Sequence, residues 1–254
     1  MCFPLYFPPL QSSSHVDMVL LQHPPSSKGF LPSFHGFKSF APSIAGPRVA
    51  CYVTQKFLQG CAVLPLFPPE TDDLMALDVF TLKGCFGLKF PRFRIGNSYA
   101  RPLPPAPHSV SPESSLLDLE YPSLVAGDFN IHNAASDPSR LLSSKEAKES
   151  APYLNPATDL GYTLLNTPGV YTRFPSAGTQ RPSAIDLVFA NPHIFSAFHF
   201  GDSSSLPSTG SDQTPILISL CPPSPHNDKP RPRWQEVDWP NLTDKLKAWQ
   251  VPPP

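Results

Sequence analysis

The chain has 254 residues, 36 of them proline, nearly threefold the usual share of about 5%, which excludes a coiled coil or a regular helical bundle. Charged residues are 15% and hydrophobic ones 40%, so a core can form and the chain is no charged disordered tail. Nineteen Lys and Arg against twenty Asp and Glu leave a net charge of -1, so any polyanion site must be local or metal-assisted.

Residues 1–15 mix Pro, Ser and Phe with no period and read as an irregular lead-in. Val16 to Gln22 is the first strand, Ser26-Ser27-Lys28-Gly29 a turn, and Arg48 to Val53 a second strand. Further short strands are expected at Asp78 to Leu82 and Phe93 to Tyr99. Five prolines between Pro102 and Pro112 make a surface loop, and a short helix follows from Glu113 to Glu120. Leu124-Val125-Ala126 is a strand running into Gly127-Asp128-Phe129-Asn130, which sets polar side chains at a strand's carboxyl end, where α/β folds build sites.

Ser143 to Ser150, with Lys145, Glu146, Lys148 and Glu149, reads as a solvated helical turn. Ala184 to Phe189 is an apolar strand around one carboxylate, Asp186, and Pro215 to Leu220 is a comparable strand preceded by Ser211-Asp212-Gln213. From Cys221 proline returns, and Leu242, Leu246 and Trp249 then form a helical stripe behind Asn241 as cap. The organisation expected is therefore a lead-in at 1–15, one domain at 16–220, and a proline-rich linker with a short amphipathic helix at 221–254. Five irregularly spaced cysteines suit neither a disulfide framework nor a zinc site and point to a reducing intracellular compartment. The first residues carry no signal-peptide pattern, and prolines interrupt the apolar run before it reaches membrane-span length.

A carboxylate inside an apolar strand is costly unless it is paired or metal-bound, so Asp186 asks for a partner. Taken singly, Asp128, Asp186 and Asp212 are each as well explained by a turn cap or a solvent-facing strand end. Their order changes that. Gly127-Asp128-Phe129-Asn130, then Ser183-Ala184-Ile185-Asp186-Leu187-Val188-Phe189, then Gly210-Ser211-Asp212-Gln213-Thr214-Pro215-Ile216 resembles the endonuclease/exonuclease/phosphatase superfamily. More narrowly, the set resembles the endonuclease domain of LINE-type (non-LTR) retrotransposons, through Asn97-Ser98-Tyr99, Leu164-Leu165-Asn166 and Tyr171-Thr172-Arg173-Phe174.

The resemblance implies a four-layer α/β/β/α sandwich with a site at one end, and a metal-dependent phosphodiesterase that nicks DNA. Such chemistry needs an activated water, neutralised phosphate charge and a stabilised leaving oxygen. By resemblance, Asp128 and Asn130 orient water and phosphate, Tyr99 contacts the phosphate, Asp186 orients the base, and Asp212 supports the metal, Mg²⁺ or Mn²⁺. DNA is the implied partner, in the nucleus, with no membrane and no small-molecule cofactor.

The sequence departs from the family at three places. Gln213 stands where the family has the basic His, and an amide cannot take a proton from water. His23 stands where the family's Glu ligates metal, and Mg²⁺ prefers oxygen donors. Residues 1–15 show neither the family's first strand nor its Asn, so the domain reads as degenerate and truncated at that end. Impaired hydrolysis follows, the alternative being a catalytically silent remnant that binds nucleic acid or protein weakly.

Other residues have ordinary explanations beside functional ones. His132 is a replacement base or a loop histidine, and Asp137 with Arg140 is a turn and surface ion pair or a substrate-contacting loop. Arg173 and Arg181 meet phosphates or solvent. Trp234, Trp239 and Trp249 form a hydrophobic contact rather than a base-stacking platform.

Overall fold

A computed structural model describes residues 2–6, 16–24, 31–42, 46–68, 72–82, 90–101, 120–175, 181–201 and 212–220. The turn at 26–29, the helix expected over 113–120 except its last residue, and everything after residue 220 lie outside the described residues. Residues Met1–Pro223 form one compact unit.

Two six-stranded sheets make up this unit. The first contains β1 (Cys2–Tyr6), β2 (Met18–Gln22), β3 (Phe37–Phe40), β4 (Val49–Thr54), β11 (Phe198–Gly201) and β12 (Leu217–Leu220), in the order β11-β12-β1-β2-β4-β3. The second contains β5 (Cys61–Leu66), β6 (Leu74–Thr81), β7 (Arg92–Tyr99), β8 (Ser123–Asp128), β9 (Thr163–Leu164) and β10 (Asp186–Ala190), in the order β5-β6-β7-β8-β10-β9. Helix α1 (Gln55–Gln59) joins the two, capped by the Thr54 hydroxyl accepting from Phe57 N, and α2 is Ser144–Asp159.

Period-two burial explains how the layers form. Met18 and Leu20 of β2, Val49, Cys51 and Val53 of β4, Met75, Leu77 and Val79 of β6, and Leu124 and Ala126 of β8 share one core between the sheets. The alternate residues of the second sheet, among them Leu74, Ala76, Val125, Leu187 and Phe189, face outward and pack with Ala157, Tyr153 and Leu154 of α2. Each fully buried side chain of this size contributes about 1.5–3 kcal/mol. An amide bridges the core: Asn97 of β7 donates from Nδ2 to Leu21 O (3.1 Å) and Ala50 O (2.9 Å), and its Oδ1 accepts from Gln22. These bonds offset the desolvation of a polar group at the sheet-sheet junction.

Three expectations are corrected. Cys2–Tyr6 is not irregular lead-in but a strand, parallel to β12 and antiparallel to β2, so the first strand is present. Pro4 and the lack of alternation hid it, and pairing on both sides outweighs the donor that Pro4 lacks. The turn at Ser143 to Ser150 is the start of a 16-residue helix that continues through Pro152 and Pro156. A capping box starts it, Ser143 Oγ accepting from Glu146 N and Glu146 accepting from Ser143 N, and its apolar face carries it past the prolines. Arg140 pairs with Glu146, while the Asp137 carboxylate accepts from Ser139 Oγ at 2.8 Å, so the two are not an ion pair with each other. Strands β3 and β5 were not expected, and β6 begins four residues before Asp78. Among the described residues, Cys51 and Cys61 are buried and outside any disulfide, and no helix is long and apolar enough to cross a membrane.

Candidate active site

Register places three of the expected residues in one row. Tyr99 lies beside Asp128 in the parallel pair β7-β8, and Asp128 lies opposite Asp186 in the antiparallel pair β8-β10. Each has the parity of inward-facing core residues on its own strand, so the row closes the apolar space between the sheets at one end. Gly127 permits the close approach of β8 to β7, because a Cβ there would sit 2.0 Å from the carbonyl oxygen of Ser98.

The turn after Asp128 is built by its neighbours. Asp128 Oδ1 accepts from Asn130 N (3.0 Å), and Asn130 Nδ2 donates to Ala100 O (2.8 Å). Asn130 holds this with φ 48°, a left-handed conformation that Asn tolerates better than most residues.

Gln213 reaches the row from the first sheet's side. Thr214 N donates to Thr172 O (2.7 Å) and Phe174 N to Asp212 O (2.6 Å), a short ladder that delivers the Gln213 side chain to Asp128 Oδ2 at 3.0 Å. The resemblance assigns Asp186 to orient the residue at position 213; here the partner is Asp128. Both oxygens of Asp186 are buried without a hydrogen-bond partner. Burial and the facing charge of Asp128 push the Asp186 carboxyl well above the ordinary range. Burial also raises Asp128, against the hydrogen bonds from Gln213 and Asn130 N that favour its charge.

Two supports of β10 come from segments that sequence reading left without a role. Asn166 donates to Asp186 O and accepts from Val188 N, both at 2.8 Å, while Thr172 Oγ accepts from Ile185 N and Asp186 N, both at 3.2 Å. Both lie in segments that carry the resemblance, Leu164-Leu165-Asn166 and Tyr171-Thr172-Arg173-Phe174, but the resemblance assigns no role to either residue.

The family model described as "Endonuclease/Exonuclease/phosphatase family" matches residues 13–213. The chain belongs to the endonuclease/exonuclease/phosphatase family. No curated protein matches the sequence. Among solved structures it is similar to the endonuclease domain of TRAS1, a telomere-specific non-LTR retrotransposon, at 14% identity and TM-score 0.57, over 81% of this chain and 86% of that one. An AP endonuclease from Archaeoglobus fulgidus matches at 13% identity and TM-score 0.49, over 73% and 79% of the two chains. The first of these likenesses shows that the fold is that of the endonuclease/exonuclease/phosphatase sandwich.

Members of the endonuclease/exonuclease/phosphatase family generally depend on a divalent metal, and the donors present here do not fit one. Among the described residues no three His, Cys, Asp or Glu side chains converge on a common point. His23, with φ 51°, packs its ring edge against Tyr99 at 4.1 Å between centroids, and burial and the nearby Arg48 hold its pKa below the ordinary value. The Arg48 guanidinium lies 5.8 Å from the Tyr99 ring centroid and pairs with Asp72 and Asp73, each at 3.6 Å. Asp212 is engaged by Arg173 at 3.1 Å. Tyr99 is nearly buried, and burial and Asp128 raise its hydroxyl further above neutrality. The site can therefore hold a proton on a carboxylate and offer hydrogen bonds to a phosphate. Its Gln213 cannot take a proton from water.

Proposed function

We propose that this domain descends from a DNA-nicking phosphodiesterase of a retrotransposon-like protein and keeps the scaffold for a DNA phosphodiester while its hydrolysis is impaired. The observation that carries the reading is the Gln213 amide donating to Asp128 at 3.0 Å, in the position where the family resemblance calls for a proton acceptor. General-base catalysis is worth about 10²- to 10⁴-fold, so its loss alone reduces nicking by at least about 10²-fold. DNA is the partner this reading requires, the nucleus the compartment, and Mg²⁺ or Mn²⁺ the ions to supply in an assay.

Relaxation of supercoiled plasmid tests the reading, with the folded protein in Mg²⁺, in Mn²⁺ and in EDTA. The expected result is no metal-dependent nicking above the EDTA control. Nicking in Mg²⁺ at the pace of a competent endonuclease would overturn it.

A second reading is a catalytically silent remnant that binds nucleic acid or protein. Arg173 on Asp212 favours it, because one of the two residues that the resemblance assigns to the metal is already paired with a cation.

A further inference from the structure

Three short chain segments meet beside the carboxylate row, and Arg173 stands in the middle one. It pairs antiparallel with Ser183 on one side and with Gln213 on the other. Arg173 and Ser183 exchange backbone bonds of 2.9 and 3.0 Å, and the Thr172 hydroxyl takes Ile185 N and Asp186 N, so the middle segment is fixed to the start of β10. On the other side, the bonds from Phe174 N to Asp212 O and from Thr214 N to Thr172 O flank the pair of Arg173 and Gln213. Opposed residues between such flanking bonds send their side chains from the same face and bring them closest together. The Arg173 stem therefore leaves the backbone beside the side chain of Gln213, while its Nε bonds Asp212 Oδ2 at 3.1 Å.

Two carboxylates are candidates for the donor at position 213. Asp128 and Asp186 are opposed across β8 and β10, yet of the two it is Asp128 that takes Gln213 Nε2, at 3.0 Å, and both oxygens of Asp186 stay unbonded. The pair of Arg173 and Asp212 breaks the symmetry between them. Burial raises both carboxyls, but the Arg173 charge favours ionised Asp128, whereas the Asp212 charge works against ionised Asp186. An amide N–H bonds an ionised carboxylate more strongly than a neutral one, so the donor at 213 follows the charge to Asp128.

We propose that Arg173 is a positioning residue: held on Asp212 and set cross-strand against residue 213, it commits the donor at 213 to Asp128 and keeps it from Asp186. The resemblance gives that partnership to Asp186, and Arg173 accounts for the exchange although both carboxylates are retained. The inference rests on the reading above only in making position 213 the one that matters for hydrolysis. The choice of partner is a property of the folded chain alone.

Nuclear magnetic resonance of the isotope-labelled full chain tests it through the Gln213 side-chain amide, identified by its absence in Gln213→Met. In the parent, Asp128→Asn should shift this signal at least about twofold more than Asp186→Asn does. In Arg173→Gln that order is expected to be lost or reversed, and Arg173→Lys, which keeps a positive charge on Asp212, should restore it. Lys145→Gln, whose partner is Glu149 on α2, should keep the parent's order. A merely structural role for Arg173 would lower the melting temperature and leave the order intact. The Arg173 and Asp212 side chains are 34% and 41% exposed, so salt reaches the pair. Raising salt from about 0.05 to about 1 M should therefore weaken the parent's order as well, with no change at Arg173. An order that persists in folded Arg173→Gln, or that salt leaves unchanged where this variant does not fold, would overturn the inference. Plasmid nicking reads the functional reading separately, since the amide signal needs neither DNA nor metal: a parent that nicks and still shows the Arg173-dependent order defeats the functional reading alone.

Discussion

Both oxygens of Asp186 are buried without partners while register sets Asp128 directly opposite, so two carboxylates face one another where the sheets' apolar space ends. Asp186→Asn replaces that repulsion with an amide donor facing an acceptor, and should stabilise the protein by about 1–3 kcal/mol at neutral pH. The sign in pH follows from the raised folded pKa. Its stabilising contribution is complete below the unfolded value of about 3.9 and is lost as pH rises through the folded value. The advantage of the Asn variant should therefore vanish near pH 3 and grow toward pH 8, read by denaturant unfolding across that range. A constant advantage would refute this account of Asp186.

Asp78 behaves oppositely. Burial works against its charge, but hydrogen bonds from Arg94 and Arg92 prevail and hold its pKa below the ordinary value. Its contribution is present above the unfolded value and lost as pH falls through the folded one, so Asp78→Asn should remove part of the loss of stability seen on acidification below about pH 4. Motif order singled out Asp128 and Asp186, which register sets opposite one another, and Asp212, which is instead paired with Arg173. The partner of Gln213 was not legible, because that bond spans 85 positions and depends on the Thr172–Thr214 ladder that no sequence pattern announces.

Strand β8 can lie against β7 only because residue 127 lacks a Cβ, the obstacle being the backbone oxygen of Ser98, which has no flexible end to move. Gly127→Ala should cost about 3 kcal/mol or more and displace Asp128, visible as a lowered melting temperature. Helix α2 presents the reverse case. Pro152 sits well inside it, withholding the N–H that would reach back one turn, so Pro152→Ala should stabilise the domain by about 1–3 kcal/mol in the same measurement. The prolines also explain what could be read at this scale. Strands β2, β4, β7, β8, β10 and β12 were visible as apolar runs. Strand β1 was hidden by Pro4, and α2 seemed to end before Pro152, since tertiary pairing and an apolar face outweigh a local breaker only once the neighbours are in place.

Both sheets contribute to the candidate site, His23 following β2 and Gln213 leading into β12, while Tyr99, Asp128 and Asp186 come from the other sheet. Assembly of the whole sandwich is thus required before any chemistry is possible, and the two departures at His23 and Gln213 fall on the first sheet's side of the cleft. The second sheet keeps its part. The central claim is that a sound scaffold is disabled at these two positions. Supercoiled-plasmid nicking by the His23→Glu, Gln213→His double variant beside the parent, both shown folded by circular dichroism, tests it most directly. The account predicts that the double variant nicks in Mg²⁺ at least about 10²-fold faster than the parent. Silence of both folded proteins, or equal activity in both, would contradict it.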